Sequence, residues 1–171
     1  MSELFSIQLQ NRQQQGRDGV WLDLPTTTEQ VQAALRQIGI SSDNPQGLFI
    51  SGYFAEEEKR FAISYNMVLA SNVDELNFLA SRLETLSTGE RAELNAALQV
   101  PQSELSSIGR ITDFPENVDY YVHLPDVHGP AQLGDYYLNR SGMVDMPEEW
   151  KGGIDTAQFG RYVAQQEQGA F

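Results

Sequence analysis

Apolar and polar residues alternate from Leu4 to Gln10 in "LFSIQLQ", and "GVWLDLP" does much the same up to Pro25. A period of two is the signature of a half-buried strand, so both segments are predicted as strands. The polar stretch "QNRQQQGRDG" between them is short enough for a hairpin tip or loop. The period then changes: in "TTTEQVQAALRQIG", Val31, Leu35 and Ile38 share one helical face, Thr26 with Glu29 three residues later reads as a capping box, and Gly39 stops the helix. "GLFISGY" returns to strand character. Residues 1–63 are therefore expected to form a small antiparallel sheet with one helix against it.

Helical spacing dominates the middle. "NVDELNFLASRLETL" places Leu76, Leu79, Ala80 and Leu83 on one face, with Asn72 and Glu75 as a second cap signal, and "STGERAELNAALQVP" repeats the device with Ser87 and Glu90 before Pro101 closes it. Residues 64–110 are expected to form a helical lobe of three or four short helices. "EEEKR", Glu56 to Arg60, reads as a solvated hairpin tip or helix end.

The last third mixes both periods. "NVDYYVHL" has the composition of a strand, "GPAQLGDYYLNRSG" is helical with Pro130 near the first turn and Gly142 after the last, and "MPEEWKGG" offers Pro147 as a helix start with acids in its first turn. "GIDTAQFGRYVAQ" fits helix or strand. The expected class is α+β, with a mixed α/β C-terminal lobe over residues 111–171.

Charge changes this picture more than composition does. Twenty-four acids against eleven bases give a net charge of −13 and a pI near 4.4, a field that repels nucleic acid and anionic membrane and favours a basic macromolecular partner. Residues 111–171 hold ten of the acids and three of the bases, more than half of the net charge. There are no cysteines, which excludes disulfides, thiolate catalysis and thiolate zinc sites. No apolar run approaches the ~18 residues of a membrane span, and the N-terminus lacks a signal-peptide pattern, so the cytoplasm is the expected compartment.

Candidate chemistry centres on "DYYVHLPDVHGPAQLGDYY", which contains both histidines. His123, Asp126 and His128, with Asp119, are residue types that could hold zinc in a hydrolase. Pro125, Gly129 and Pro130 break the segment, however, and no His-Glu-x-x-His helix is present, so histidines in a turn are the favoured reading. Nucleophile elbows, phosphate loops and dinucleotide fingerprints are also absent from the sequence. No catalytic, cofactor or metal residue is assigned. What stands out instead is Asp113, Glu116, Asp119, Asp126 and Asp135, which follow one another with no intervening base and with tyrosines interleaved. Ordinary solubility produces such stretches too.

The order and spacing of several motifs settle more than any one of them. "VWLDLP" before a capped helix, "LFISGY", "NVDELNFLASRLETL", "LGDYYLNRSG", Pro147, Ile154–Asp155, "FGR" at Phe159 to Arg161 and the terminal "GAF" together resemble the ArdA antirestriction proteins. These are acidic products of conjugative mobile elements that imitate DNA. The resemblance implies an elongated, curved, non-enzymatic protein of three small lobes, often a homodimer, without cofactors. Its carboxylates would stand in for duplex phosphates in the DNA-binding groove of a type I restriction-modification enzyme. Carried onto this sequence, the partner-binding acidic surface would comprise Asp113, Glu116, Asp119, Asp126, Asp135, Asp145, Glu148, Glu149 and Asp155. The alternative within the same resemblance is an acidic binding module for another basic partner, without antirestriction activity.

Overall fold

Strand β1 (Phe5–Asn11) buries every second side chain, as its alternation requires, and pairs on both sides: antiparallel with β2 (Val20–Leu24) and antiparallel with β3 (Leu48–Phe54). The sheet order is β2-β1-β3, in a computed structural model that describes residues 3–14, 18–100, 103–117 and 121–171. Register aligns the apolar set: Phe5 faces Leu24 and Ile7 faces Leu22 on one side, and Ile7 faces Tyr53 and Leu9 faces Ile50 on the other. A register shift between Gln8 and Leu9 leaves Ser51 as the extra residue of β3, and its hydroxyl bonds back to Gln8.

Helix α1 (Thr28–Gln37) covers the buried face of this sheet, with Ala34 and Ile38 buried and Val31 and Leu35 packed against the core. Its capping box lies one residue later than the sequence suggests. The Thr27 hydroxyl accepts from the Gln30 amide while the Gln30 side chain accepts from the Thr27 amide. Thr26 is held elsewhere: its N–H donates to Asn77 Oδ1 at 2.7 Å and its carbonyl accepts from Asn77 Nδ2 at 3.0 Å. At the other end Gly39 has φ +70°, with the Gly39 and Ile40 amides donating to the Arg36 and Leu35 carbonyls, the bonding of a Schellman motif.

Short α2 (Tyr65–Leu69) leads to α3 (Val73–Glu84), which buries Val73, Leu76, Leu79, Ala80 and Leu83 on one face. Asn72 caps α3 by accepting from the Glu75 amide at 2.9 Å. Helix α4 (Thr88–Gln99) begins with the reciprocal pair that its sequence announces: the Ser87 amide donates to Glu90 Oε2 at 2.8 Å and the Glu90 amide to Ser87 Oγ at 3.3 Å. Arg91 then donates to the Leu83 and Leu86 carbonyls, satisfying the C-terminal end of α3. Helices α5 (Ile108–Thr112) and α6 (Phe114–Asn117) complete this part, and Pro101 lies outside the described residues. A single apolar cluster runs from Leu4 to Phe114 through sheet and helices alike.

The chain divides into two compact units, Met1–Leu98 with Gln102–Tyr121, and Gln99–Pro101 with Val122–Phe171. In the second, α7 (Pro130–Asp135) continues into a π-helical turn, Tyr136–Arg140, and α8 (Glu148–Lys151) and α9 (Thr156–Gln166) follow. The segment that could be read as helix or strand is thus helix α9, with Asp155 as its N-cap. The strand expected over "NVDYYVHL" does not form at Tyr121–Leu124, which have no regular structure, and residues 118–120 lie outside the described set. Pro125 follows at once and removes a backbone donor that a ladder would need. The architecture is α+β, one antiparallel sheet plus helices.

Helices α7 and α9 approach through glycine. A Cβ on Gly134 would overlap the Thr156 carbonyl oxygen, and one on Gly160 would overlap the Pro130 carbonyl oxygen. Only backbone fits at this crossing, which explains why "LGDYY" and "FGR" each carry a glycine inside a helix, where it is otherwise unfavourable by about 1 kcal/mol relative to alanine.

Candidate acidic interaction surface

In the first unit, Asp113 is the C-cap of α5 and exposed, while Glu116 in α6 is bound to Arg82 of α3 at 2.7 Å with its side chain still 70% exposed. Asp119 lies outside the described residues. In the second unit, Asp126 is exposed in the turn after Pro125, Asp145 is exposed in the irregular segment before α8, and Glu148 and Glu149 form the first turn of α8. Glu148 accepts from Lys151 Nζ at 2.6 Å and remains 82% exposed. Asp155 is exposed but committed to local structure, because its Oδ1 accepts from the Ala157 and Gln158 amides at 2.9 and 3.0 Å. Asp135 closes α7, where Asn139 Nδ2 donates to its Oδ1 at 2.8 Å and Arg140 stands 3.7 Å from its Oδ2.

Two kinds of carboxylate emerge. Glu116, Asp135 and Glu148 each have a cation of their own chain beside them. Among the described residues no lysine or arginine lies within ion-pair distance of Asp113, Asp126, Asp145, Glu149 or Asp155. Exposed ion pairs are worth little in stability, with a median of about 0–1 kcal/mol, but each cancels a charge locally. The acidic surface left without a neighbouring cation is therefore smaller than the acid count indicates.

The counterions were harder to read from the sequence than the acids. Lys151 sits three residues after Glu148, a helical spacing that was available. Arg82 meets Glu116 through the packing of α3 with the segment that includes α6, and Arg140 meets Asp135 across the π-helical turn that follows α7. Nothing in the hydrophobic pattern announces either.

Tyr121, Tyr136 and Tyr137 are half-buried. Burial raises the pKa of Tyr121, with Glu104 adding to the effect and Arg110 opposing it, and burial likewise raises that of Tyr137, with Glu167 and Tyr136 adding to it. These rings pack while their hydroxyls stay protonated and uncharged well above neutral pH. Tyr121 contacts Phe114 with centroids 5.2 Å apart, and Tyr136 and Tyr137 stand edge to face at 5.6 Å.

His123 is half-buried and His128 exposed, with the His128 amide donating to Gln132 Oε1 at 2.7 Å. Among the described residues no three His, Asp or Glu side chains are grouped closely enough to hold a metal ion. Nor, among them, is any helix long and apolar enough to cross a membrane.

A family model described as antirestriction protein (ArdA) matches residues 15–171 of the 171-residue chain. No match was found among curated proteins.

Proposed function

The chain belongs to the ArdA antirestriction family, and on that premise we propose that it is an acidic mimic of duplex DNA that blocks the DNA-binding groove of a type I restriction-modification enzyme. The observation that carries the reading is the family match over nearly the whole chain. Physical support comes from the charge of −13 and from candidate carboxylates that lie at the surface. B-DNA carries one negative charge per about 1.7 Å of axis, so this charge equals that of about 22 Å of duplex, and two copies that of about 44 Å, or roughly 13 base pairs. A groove built to neutralise phosphates gains the same Coulomb attraction from carboxylates and captures them by steered association.

The mimic acts by occupancy and uses no catalytic residue, cofactor or metal. It offers no base edges, so binding follows charge geometry and shape rather than sequence. Gel-filtration competition tests this directly: the chain is expected to displace duplex DNA from a purified type I methyltransferase core, and failure to do so at equimolar concentration and low salt overturns the reading. Replacing His123 and His128 together with Asn should leave displacement unchanged. Salt sharpens the test, because the steep dependence of DNA binding comes from counterions condensed on the duplex. Carboxylates spread over a folded surface condense fewer, so the affinity of this chain should fall with salt less steeply than that of DNA for the same core.

A further inference from the structure

We infer that Arg140 is a built-in counterion that holds Asp135 back from the partner, and that a basic group of the partner must displace it for Asp135 to be used. The inference rests on the reading of the chain as a DNA mimic and names a residue that sets its affinity. Its geometry stands apart from that reading. In an α-helix, positions five apart are turned by about 140° from one another and do not meet. Here Tyr136–Arg140 is a π-helical turn, closed by the Ser141 amide donating to the Tyr136 carbonyl at 2.8 Å across five residues. In this widened turn Leu138 is buried, 3% exposed, and the Arg140 guanidinium stands 3.7 Å from Asp135 Oδ2. π-helical turns of this kind recur at functional sites.

Two further contacts hold the arrangement. The Arg140 guanidinium lies 5.5 Å from the centroid of the Tyr136 ring, a cation–π distance, and Asn139 Nδ2 donates to the other oxygen of Asp135 at 2.8 Å. Both Asp135 oxygens are thus engaged from one turn, by a full positive charge on one side and an amide on the other. Yet the pair is weak enough to open. Both side chains are 51% exposed, water screens the attraction, and 3.7 Å is longer than the 2.7 Å of the Arg82–Glu116 pair. A partner arginine that reaches Asp135 bidentately in a desolvated groove would make the stronger contact.

The test compares full-length variants for displacement of duplex DNA from a type I methyltransferase core, after circular dichroism and thermal melting show each to be folded. Arg140→Gln removes the internal cation. Arg36→Gln makes the same change of net charge at an exposed position of α1 in the other unit. The expected result is a gain of about two- to fivefold in affinity for Arg140→Gln, the range an exposed ion pair spans. The Arg36→Gln gain should be smaller, and Arg140→Gln should give no extra gain when Asp135→Asn is already present. Equal gains from the two arginine variants, or a gain that survives Asp135→Asn, would show that only net charge matters and overturn the inference, while leaving mimicry standing. Failure of the wild-type chain and of Arg140→Gln alike to compete with DNA overturns both readings. A chain that competes only once Arg140 is replaced supports the inference and identifies its strength.

Discussion

From Leu4 to Phe114 buried aliphatic and aromatic side chains form one connected cluster, in which Ile7, Leu9, Leu76, Leu79 and Leu83 are fully enclosed. In the second unit the buried hydrophobic side chains among the described residues are Leu138, Val163 and Ala164, and the closest approach is backbone to backbone, at Gly134 and Gly160. The first unit is specified by side-chain volume. The second is specified by the absence of side chains at one crossing and by local caps and ion pairs around it. A segment of about fifty residues cannot bury the fraction of its surface that a larger domain does, and like charge on its surface adds repulsion. The second unit, with seven acids against three bases, is thus the one with the least apolar burial to hold it.

The largest effect should come from the first unit's core. Leu79 is fully buried on α3, and Leu79→Ala should cost about 2–5 kcal/mol through lost burial and the cavity left behind. Denaturant unfolding monitored at β1 and α3 amides would measure it. A loss below about 1 kcal/mol would mean that the core refills the space and is less specific than the packing indicates.

Gly160→Ala tests the opposite construction. The added methyl meets the Pro130 carbonyl, a backbone atom that no rotamer change can move aside, so a loss of about 1–3 kcal/mol is expected despite alanine's better helix propensity. Hydrogen exchange should show the loss at α7 and α9 amides. Were Gly160→Ala to stabilise α9 instead, propensity would outweigh the crossing and the contrast between the units would fail.

These two substitutions also mark what the sequence could disclose. Period and caps located β1, β2, β3, α1, α3 and α4, because each is set within one stretch of chain. The α1 cap slipped by one residue because Thr26–Glu29 and Thr27–Gln30 are equally good pairs locally, and Asn77, fifty-one residues away, decides between them by holding the backbone of Thr26. The segment at Tyr121–Leu124 looked like a strand by residue type, but among the described residues it has no partner strand. Gly134 and Gly160 were visible as misfits inside helical patterns, which is a signal, but the crossing that requires them joins residues far apart. Of the acidic surface, the positions of the carboxylates were legible and their counterions at Arg82 and Arg140 were not, since those pairs depend on tertiary packing and on a π-helical turn.

A smaller effect separates structure from charge at one acid. Asp155 caps α9, so Asp155→Ala should lower the stability of that helix by about 1 kcal/mol, whereas Asp155→Asn keeps an acceptor for the Ala157 and Gln158 amides and should lower it much less. If the two variants bind a basic partner equally weakly, the carboxylate acts through its charge. If only Asp155→Ala is weakened, it acts through the helix it holds, and the surface shrinks by one further acid.

The smallest effect concerns acid, and the two units should differ in it. In the first unit the pKa of Glu90 is lowered from 4.5 by its hydrogen bonds with the Ser87 side chain and backbone, and that of Glu29 is lowered by its own backbone and by Thr27. A carboxylate whose folded pKa lies below its unfolded value stabilises the fold above the unfolded pKa, and that stabilisation is lost as pH falls through the folded one. Protonation therefore weakens the starts of α4 and α1 below about pH 4.5. Net charge pulls the other way, because protonating part of an excess of acids relieves repulsion across the whole chain. The sign at Glu90 is accordingly read as a difference: Glu90→Gln removes the titration while keeping an acceptor for the Ser87 amide. Between about pH 5 and pH 3 the wild-type chain should lose more protection at α4 amides than Glu90→Gln does, and the two should lose protection equally at α9. Parallel profiles at α4 would show that the capping carboxylate contributes nothing there, and that acid acts on both units through net charge alone.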